Sequence, residues 1–184
     1  MKQMMVKRWF LVVCWAILGL SSEYTHADEA LCVNGVPETS NSELFDSDDS
    51  GDILHIPTGL VFMRCAIGQT WNSTSCIGDA TALTWQEALQ LSVGYDYNDS
   101  QNWRLPNIKE LSAITERACI SPSINTASFP QTPSTDFWTS TPSVLDEQRA
   151  WVVGFFNGTS SLKAKDRSIF VRLVRTKLPN ELPR

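Results

Sequence analysis

The sequence predicts an α+β fold in which two helices pack on a mostly antiparallel sheet and disulfides stabilise the domain. The helices are predicted by two capping-box patterns, because Thr84 and Asn107 are each followed three residues later by a glutamate. The strands are predicted by alternating apolar residues near the C-terminus, where Asn157-Gly158 marks a hairpin turn with positive φ at both positions. Strands, then helices, then further strands is an order that favours α+β over regularly alternating α/β.

The N-terminus has the pattern of a secretory signal peptide. Basic residues precede the apolar run Trp9–Leu20, whose 12 residues are fewer than the roughly 20 that a membrane-spanning helix needs. Small residues before Asp28 suit cleavage, so residues 1–27 are predicted to be removed. The alternatives are a retained anchor and a lipoprotein lipidated at Cys14.

Net charge and hydropathy limit the classes of protein to which this chain can belong. Residues 1–27 contain three of the 15 basic and one of the 20 acidic residues, so the remaining chain has a net charge of about −7. Such acidity argues against general nucleic-acid binding. Since no second long apolar stretch follows the leader, we expect an exported protein without an integral membrane segment, located in the periplasm, at the cell surface or outside the cell.

Cysteine usage agrees with export. Four cysteines remain after the leader, and an even number in an exported domain indicates two disulfides. Of the three pairings we favour Cys65–Cys76, across a glycine-containing loop, which leaves Cys32–Cys119 to tie down the N-terminal arm. Zinc is the competing interpretation, but there is no CxxC pair and the chain after the leader has one histidine, His55.

The arm is expected to span residues 28–43 and the domain residues 44–176, followed by a tail at residues 177–184. Leu44–Phe45 and Ile53–Ile56 flank an acidic turn and precede the predicted strand Leu60–Cys65. The turn partly resembles a calcium loop, with Asp46, Asp48 and Asp52 as candidate ligands. A proline stands where the bidentate glutamate would be, so a plain turn is the favoured interpretation and calcium the second.

The stretch Asn102–Leu111 connects a short strand to the second helix. Pro106 favours extended geometry before it, and Asn107 begins the helix. We predict that Trp103 is buried and that Arg104 is paired inside the protein. The preceding loop contains Tyr95 and Tyr97, for which packing is favoured over stacking on a sugar ring.

The C-terminal part is predicted to be a meander of strands. The predicted strands cover Phe137–Thr141, Arg149–Phe156, Ser161–Lys165 and Ser168–Arg175. In the last of these, Ile169, Val171 and Leu173 would share one face, and Phe170, Arg172 and Val174 the other.

Several of these segments together resemble the Lcl C-terminal domain family over about Leu44–Arg175. The motifs that carry the resemblance are TGLVFMRC, GQTW, LTWQEAL, NWRLPNIKEL, INTASFP, DFWTSTP, AWVVGFFNG and FVRLVR. The resemblance implies a C-type-lectin-like fold in a bacterial exported protein. In the family's namesake this domain is a trimeric surface adhesin that recognises sulfated glycans, so a homotrimer is one expectation. The sequence has neither a collagen-like repeat before the domain nor the EPN, QPD and WND motifs of calcium-dependent lectins.

Three functions are compatible with these observations. The first is a binding and adhesion module for anionic polysaccharide, with Lys163, Lys165 and Arg167 pointing the same way from an extended limb. The bland alternative is an edge strand kept unpaired by lysine. The second is an envelope assembly protein with a protein partner. The third is an enzyme, disfavoured because the lectin-like oxidases need a reactive cysteine pair; no catalytic residue and no cofactor are predicted.

Overall fold

The computed structural model describes residues 30–47 and 49–177. The helices are α1 (Trp85–Ser92) and α2 (Ile108–Ser112), and a single 3-10 turn covers Ser42–Leu44. Within the described residues the strands in chain order are β1 (Leu31–Cys32), β2 (Phe45–Ser47), β3 (Asp52–His55), β4 (Leu60–Met63), β5 (Thr70–Trp71), β6 (Cys76–Ile77), β7 (Ala82–Leu83), β8 (Cys119–Ile120), β9 (Asp136–Pro142), β10 (Arg149–Gly154), β11 (Thr159–Ala164), β12 (Ile169–Phe170) and β13 (Val174–Thr176). The predicted signal peptide, Asp48 and residues 178–184 lie outside the described residues.

The strands form two main sheets. The central sheet has the order β11-β10-β9-β12-β7, and the second sheet has the order β13-β4-β3-β2. Two short ladders, β1 with β8 and β5 with β6, lie at the periphery. Among the described strands every pairing is antiparallel except that of β12 with β9, which is parallel. The predicted α+β class with a mostly antiparallel sheet is confirmed.

Strand β10 contributes buried side chains on both faces of the central sheet, which its alternation makes possible. Ala150 and Val152 belong to one hydrophobic cluster, together with Trp103. Val153 belongs to another, together with Phe155 beyond the strand end. Because successive side chains of a strand point to opposite faces, one six-residue strand supplies two cores.

The last predicted strand, Ser168–Arg175, is wrong as a single element. It is split into β12 and β13, which belong to different sheets. Between β12 and β13, the carbonyls of Val171 and Leu173 accept backbone hydrogen bonds from β4 and from the residues just after β4. The chain therefore crosses here from one sheet to the other. The predicted alternation of faces nevertheless holds for the apolar residues: Ile169, Val171 and Leu173 enter one cluster, whereas Val174 enters the other.

The hairpin turn between β10 and β11 also differs from the prediction. Four residues connect the strands, because Phe155 and Phe156 belong to the turn with Asn157 and Gly158. Only Gly158 has a positive φ, of 71°. Phe155 leaves the ladder because its ring is fully buried against Phe137, and its N–H donates to the carbonyl of Thr135.

Both predicted disulfides are present, Cys32–Cys119 and Cys65–Cys76. The first joins β1 to β8 and so attaches the N-terminal arm to the body of the domain. The carboxylate of Glu116 holds the arm at a second point, where it accepts hydrogen bonds from the N–H groups of Thr39 (3.1 Å) and Ser40 (2.7 Å). Disulfides of this kind indicate an oxidising compartment.

The two capping boxes begin the helices as predicted. Thr84 caps α1 with Glu87, and Asn107 caps α2 with Glu110. Trp103 is 3% exposed, and the guanidinium of Arg104 forms an ion pair with Glu110. The predicted burial of Trp103 and pairing of Arg104 are confirmed, although the Arg104 side chain is 43% exposed. The predicted short strand is reduced to a single bridge between Arg104 and Val174. No helix in the described part of the chain has the length and apolar character needed to cross a membrane.

Candidate functional site

A cleft of about 390 Å³ opens beside the second sheet. Its charged residues are Asp46, Asp52, Asp99, Arg175 and Lys177. They come from β2, β3, the loop before Trp103, and β13 with the residue that follows it, so folding assembles them from four separate parts of the chain.

Uncharged groups complete the lining of this cleft. Ser47, Ser50 and Asn98 supply hydroxyl and amide groups, while Leu54 and Val61 supply an apolar patch. The described wall therefore contains hydrogen-bond donors, acceptors and a small aliphatic surface. This mixture suits a hydroxylated ligand better than an apolar one.

The turn at one wall of the cleft is held in place by side chains from two other loops. The indole N–H of Trp71 donates to the carbonyl of Asp49 at 3.2 Å, and the hydroxyl of Tyr97 donates to that of Gly51 at 3.3 Å. The side-chain amide of Asn98 donates to the carbonyl of Ser50. Since Cys65–Cys76 closes the loop that carries Trp71, the disulfide helps to fix this wall.

Gly51 is required where these loops meet. Its φ is +85°, and an added Cβ would lie 2.3 Å from the Tyr97 hydroxyl and 2.8 Å from the Trp71 Cβ.

Burial, and then the charge of Asp52, raises the pKa of Tyr97. The Tyr97 hydroxyl therefore stays protonated and remains a donor at neutral pH.

A buried ion pair lies in the lining of the cleft. Arg175 Nη2 is 2.9 Å from Asp52 Oδ2, and the guanidinium lies 5.2 Å from the centre of the Trp103 ring. The indole N–H of Trp103 donates to the carbonyl of Tyr97 at 2.9 Å. Trp103 thus contacts both the ion pair and the loop that contributes Asn98 and Asp99. One tryptophan therefore helps to position both of these parts of the cleft lining.

Of the predicted calcium ligands, Asp48 lies outside the described residues, Asp46 lines the cleft and Asp52 is bound by other protein groups. Asp52 binds Arg175 and accepts a hydrogen bond from the Ser50 hydroxyl at 2.8 Å. The carbonyls of Asp49, Ser50 and Gly51 accept the side-chain donors described above. Among the described residues there is no group of three or more metal-ligating side chains. The turn is held by protein hydrogen bonds, and Asp46 lies in the cleft lining.

The three predicted polysaccharide-binding cations do not share one extended limb, and that geometric expectation is wrong. β11 ends at Ala164, and the chain then turns so that Arg167 N–H donates to the Ala164 carbonyl at 3.1 Å. Lys163 Nζ is 3.0 Å from Asp136 Oδ2. Lys165 Nζ lies 4.3 Å from the centre of the Trp85 ring, and Arg167 is exposed.

Sequence reasoning missed the cleft as a site, although it singled out two of its parts. The acidic turn and the tyrosine loop were each interpreted separately. Packing is the role that the structure gives Tyr97, whose ring meets Trp103 edge to face at 5.9 Å. No local pattern links residue 46 to residues 98 and 175, so nothing in the sequence indicated that they line one cavity.

The model of the Lcl C-terminal domain family matches residues 51–175, which is more than half of the 184-residue chain. The matched region contains both the Asp52–Arg175 pair and the tyrosine loop. A search of curated proteins found no match.

Proposed function

The chain belongs to the Lcl C-terminal domain family, and we propose that its domain is a C-type-lectin-like, non-enzymatic module of an exported protein that binds a glycan for adhesion. The cleft beside the second sheet is the observation that carries this proposal. Its volume of about 390 Å³ falls within the range usual for small-molecule sites.

The chemistry of the cleft matches a saccharide. A sugar presents hydroxyl groups that donate and accept hydrogen bonds, and ring C–H groups that prefer apolar contact. Asp46 and Asp99 supply acceptors, Lys177 supplies donors, and Leu54 with Val61 supplies the apolar contact. Because the walls are held by side-chain hydrogen bonds between loops, little ordering is needed when a ligand enters.

We propose that the domain has no enzymatic activity because of the state of its cysteines. All four cysteines in the described part of the chain are in disulfides, so none provides the reactive thiol pair on which oxidases of the lectin-like fold rely. The same disulfides support export to the periplasm, the cell surface or the medium. The cleft residues are then binding groups, with hydrogen bonding as their role.

A glycan microarray tests the proposal. The purified protein is expected to bind a defined set of saccharides, and Asp46→Asn with Asp99→Asn should reduce binding at least about tenfold, since two charged hydrogen bonds are weakened. Asp79→Asn with Asp166→Asn makes the same change of charge at exposed sites outside the cleft lining. Equal loss in both pairs of variants would refute the cleft as the site. An array with no binder, together with an envelope protein that copurifies, would favour the assembly function.

Anionic polysaccharide remains a second candidate ligand, bound near Lys163, Lys165 and Arg167. The observation in its favour is that a partly exposed indole, Trp85, lies beside the cation of Lys165, and a sugar ring can stack where a sulfate is bound. The ion pair of Lys163 with Asp136 counts against three equivalent contacts.

Heparin chromatography at low salt tests this second candidate. Changing Lys163, Lys165 and Arg167 together to alanine should abolish retention. Lys109→Ala with Arg117→Ala removes two exposed cations elsewhere and should leave most of the retention. Retention that survives the triple change would eliminate this site.

A further inference from the structure

The two disulfides differ in their exposure to solvent. Cys32 lies in β1, both of whose residues are exposed, whereas its partner Cys119 is 6% exposed. Cys65 and Cys76 are 2% and 4% exposed, so the second disulfide lies inside the domain. Thiol–disulfide exchange begins when a thiolate attacks one sulfur of the bond. Of these four cysteines, Cys32 is therefore the one whose sulfur a reagent in solution can reach.

The first part of the N-terminal arm is held to the domain by few contacts besides the disulfide. β1 forms two residue pairs with β8, and the N–H of Val33 donates to the carbonyl of Ala118 at 2.8 Å. The side chains of Leu31, Val33 and Val36 are 66%, 63% and 48% exposed, so they bury little apolar surface. Because an isolated two-stranded ladder is marginal in water, breaking the crosslink should allow this part of the arm to leave the domain.

The rest of the arm has an anchor that does not depend on the disulfide. The carboxylate of Glu116 accepts hydrogen bonds from the N–H groups of Thr39 and Ser40, and Ser40 is fully buried. The hydroxyl of Ser40 also donates to the carbonyl of Ile114 at 3.3 Å. Opening of the arm is therefore expected to end before Thr39 and to leave the hydrophobic clusters packed.

We propose that Cys32–Cys119 is a redox switch, opened by a dithiol of the class that thioredoxin-like proteins carry. A thiolate of the dithiol attacks Cys32 Sγ, forms a mixed disulfide there and expels Cys119 as a thiolate, which takes up a proton. The second thiolate of the dithiol then attacks the dithiol's own sulfur in the mixed disulfide and releases Cys32, which is also protonated. The domain gains two electrons and two protons, and the dithiol is oxidised to a disulfide.

The switch changes the arm and leaves the cleft as it is. Cys65–Cys76, which closes the loop that carries Trp71 at the cleft wall, stays oxidised. Residues 30–38 of the arm contribute nothing to the described lining of the cleft. Reduction therefore frees a segment that carries a thiol while the cleft keeps its shape, and the inference does not depend on the proposed glycan.

Partial reduction of the oxidised protein tests the proposal. The protein is treated with dithiothreitol, and free thiols are blocked with iodoacetamide at successive times and located by mass spectrometry. Cys32 and Cys119 should be modified at least about tenfold faster than Cys65 and Cys76, because a buried disulfide reacts only after an opening fluctuation. With glutathione, which has a single thiol, the trapped mixed disulfide should be on Cys32 and the alkyl group on Cys119.

Hydrogen exchange of the partly reduced protein distinguishes opening of the arm from unfolding of the domain. The amide of Val33 should lose its protection when Cys32–Cys119 is reduced, because its acceptor on Ala118 is lost. The amide of Ser40 should keep its protection, because Glu116 still accepts from it.

Serine variants provide the matched comparison. Cys32→Ser with Cys119→Ser fixes the open state and should leave Val33 unprotected. Cys65→Ser with Cys76→Ser removes the other crosslink and should leave Val33 protected.

Four results would each overturn the proposal. Equal rates for the two disulfides, or faster reduction of Cys65–Cys76, would show that exposure does not select the site. A glutathione adduct on Cys119 would place the attack on the less exposed residue. Protection of Val33 that survives reduction would show that the arm stays closed. Loss of protection at Ser40 and at the buried Phe62 together would show unfolding of the domain in place of a local switch.

Discussion

The carboxylate of Glu110 both pairs with Arg104 and closes the capping box at the start of α2. It accepts hydrogen bonds from Arg104 Nη1 at 2.7 Å and Nη2 at 2.8 Å, and it also accepts from the N–H of Asn107 at 2.7 Å. The strand-like segment before Pro106 and the first turn of α2 are therefore fixed to each other by one side chain. Arg104 itself is bound to β13 through backbone hydrogen bonds with Val174.

Glu110→Gln is expected to lower the free energy of unfolding by about 1–3 kcal/mol, because a neutral amide cannot form the paired, charge-assisted bonds to Arg104. Urea unfolding measures the effect. Glu87→Gln is the matched control, since Glu87 closes the equivalent box on α1 by accepting from Thr84 and forms no ion pair in the described structure. A control change as large as that of Glu110 would contradict a special role for the arginine.

The free energy of unfolding is predicted to decrease as the pH falls, because Glu116 becomes protonated. Burial acts to raise the pKa of Glu116, but hydrogen bonds from the N–H groups of Ala118, Thr39 and Ser40 outweigh it, and the net pKa lies below the ordinary 4.5. A carboxyl whose pKa is lowered by folding stabilises the protein above its unfolded pKa and loses that contribution as the pH falls through the folded value. Unfolding free energy should therefore decrease from about pH 5 downward.

Glu116→Gln provides the comparison for this pH dependence. The variant should be less stable than the unsubstituted protein near neutral pH, and the difference should shrink as the pH is lowered. Urea unfolding followed by fluorescence at several pH values measures both curves. Parallel curves would contradict the assignment of this titration to Glu116.

The two disulfides are predicted to differ in their effect on stability. Cys32 and Cys119 are 87 residues apart, and Cys65 and Cys76 are 11 apart. In the chain-entropy model, replacing the first pair by serine costs about 4.5 kcal/mol and the second about 3 kcal/mol. Denaturant unfolding of the two double variants measures the order, and a larger loss from the shorter loop would contradict it.

Arg172 is expected to be essential for folding stability although it forms no ion pair with a carboxylate in the described structure. Its guanidinium is fully buried and donates to the carbonyls of Met63 (2.7 Å) and Arg64 and to the Thr132 hydroxyl (2.7 Å). Burial lowers the pKa of Arg172 to about 9, so the charge is retained at neutral pH. Arg172→Met leaves these acceptors without their donor and should cost about 3 kcal/mol or more.

Arg167→Met is the matched control for that change. Arg167 is exposed, so the same substitution there should alter the unfolding free energy by no more than about 0.5 kcal/mol. Thermal and urea unfolding measure both variants. A stable Arg172→Met protein would show that the buried guanidinium is dispensable.

Local patterns predicted the parts of the fold that local interactions determine. The capping boxes at Thr84 and Asn107 are of this kind, because their partners are close in sequence. The cysteine pairing was also accessible, because with four cysteines the choice of one pair determines the other. These features satisfy hydrogen bonds or crosslinks that any fold of the chain needs.

Long-range features were not accessible in this way. Arg172 was predicted only to share a face with its apolar neighbours, but its acceptors Met63 and Arg64 are more than 100 residues earlier in the chain. The crossing of the last strand between sheets depends on the same contacts. The cleft likewise combines β2, β3, β13 and a loop, and its lining follows from the packing of sheets.

Mapping the glycan on the protein by amide chemical shifts tests the central claim most directly. When a saccharide selected on the array is titrated in, the largest shifts should fall on Asp46, Ser50, Asn98, Asp99 and Lys177, with smaller changes elsewhere. Shifts concentrated around Lys163–Arg167, or no shifts at saturating saccharide, would contradict a binding site in the cleft.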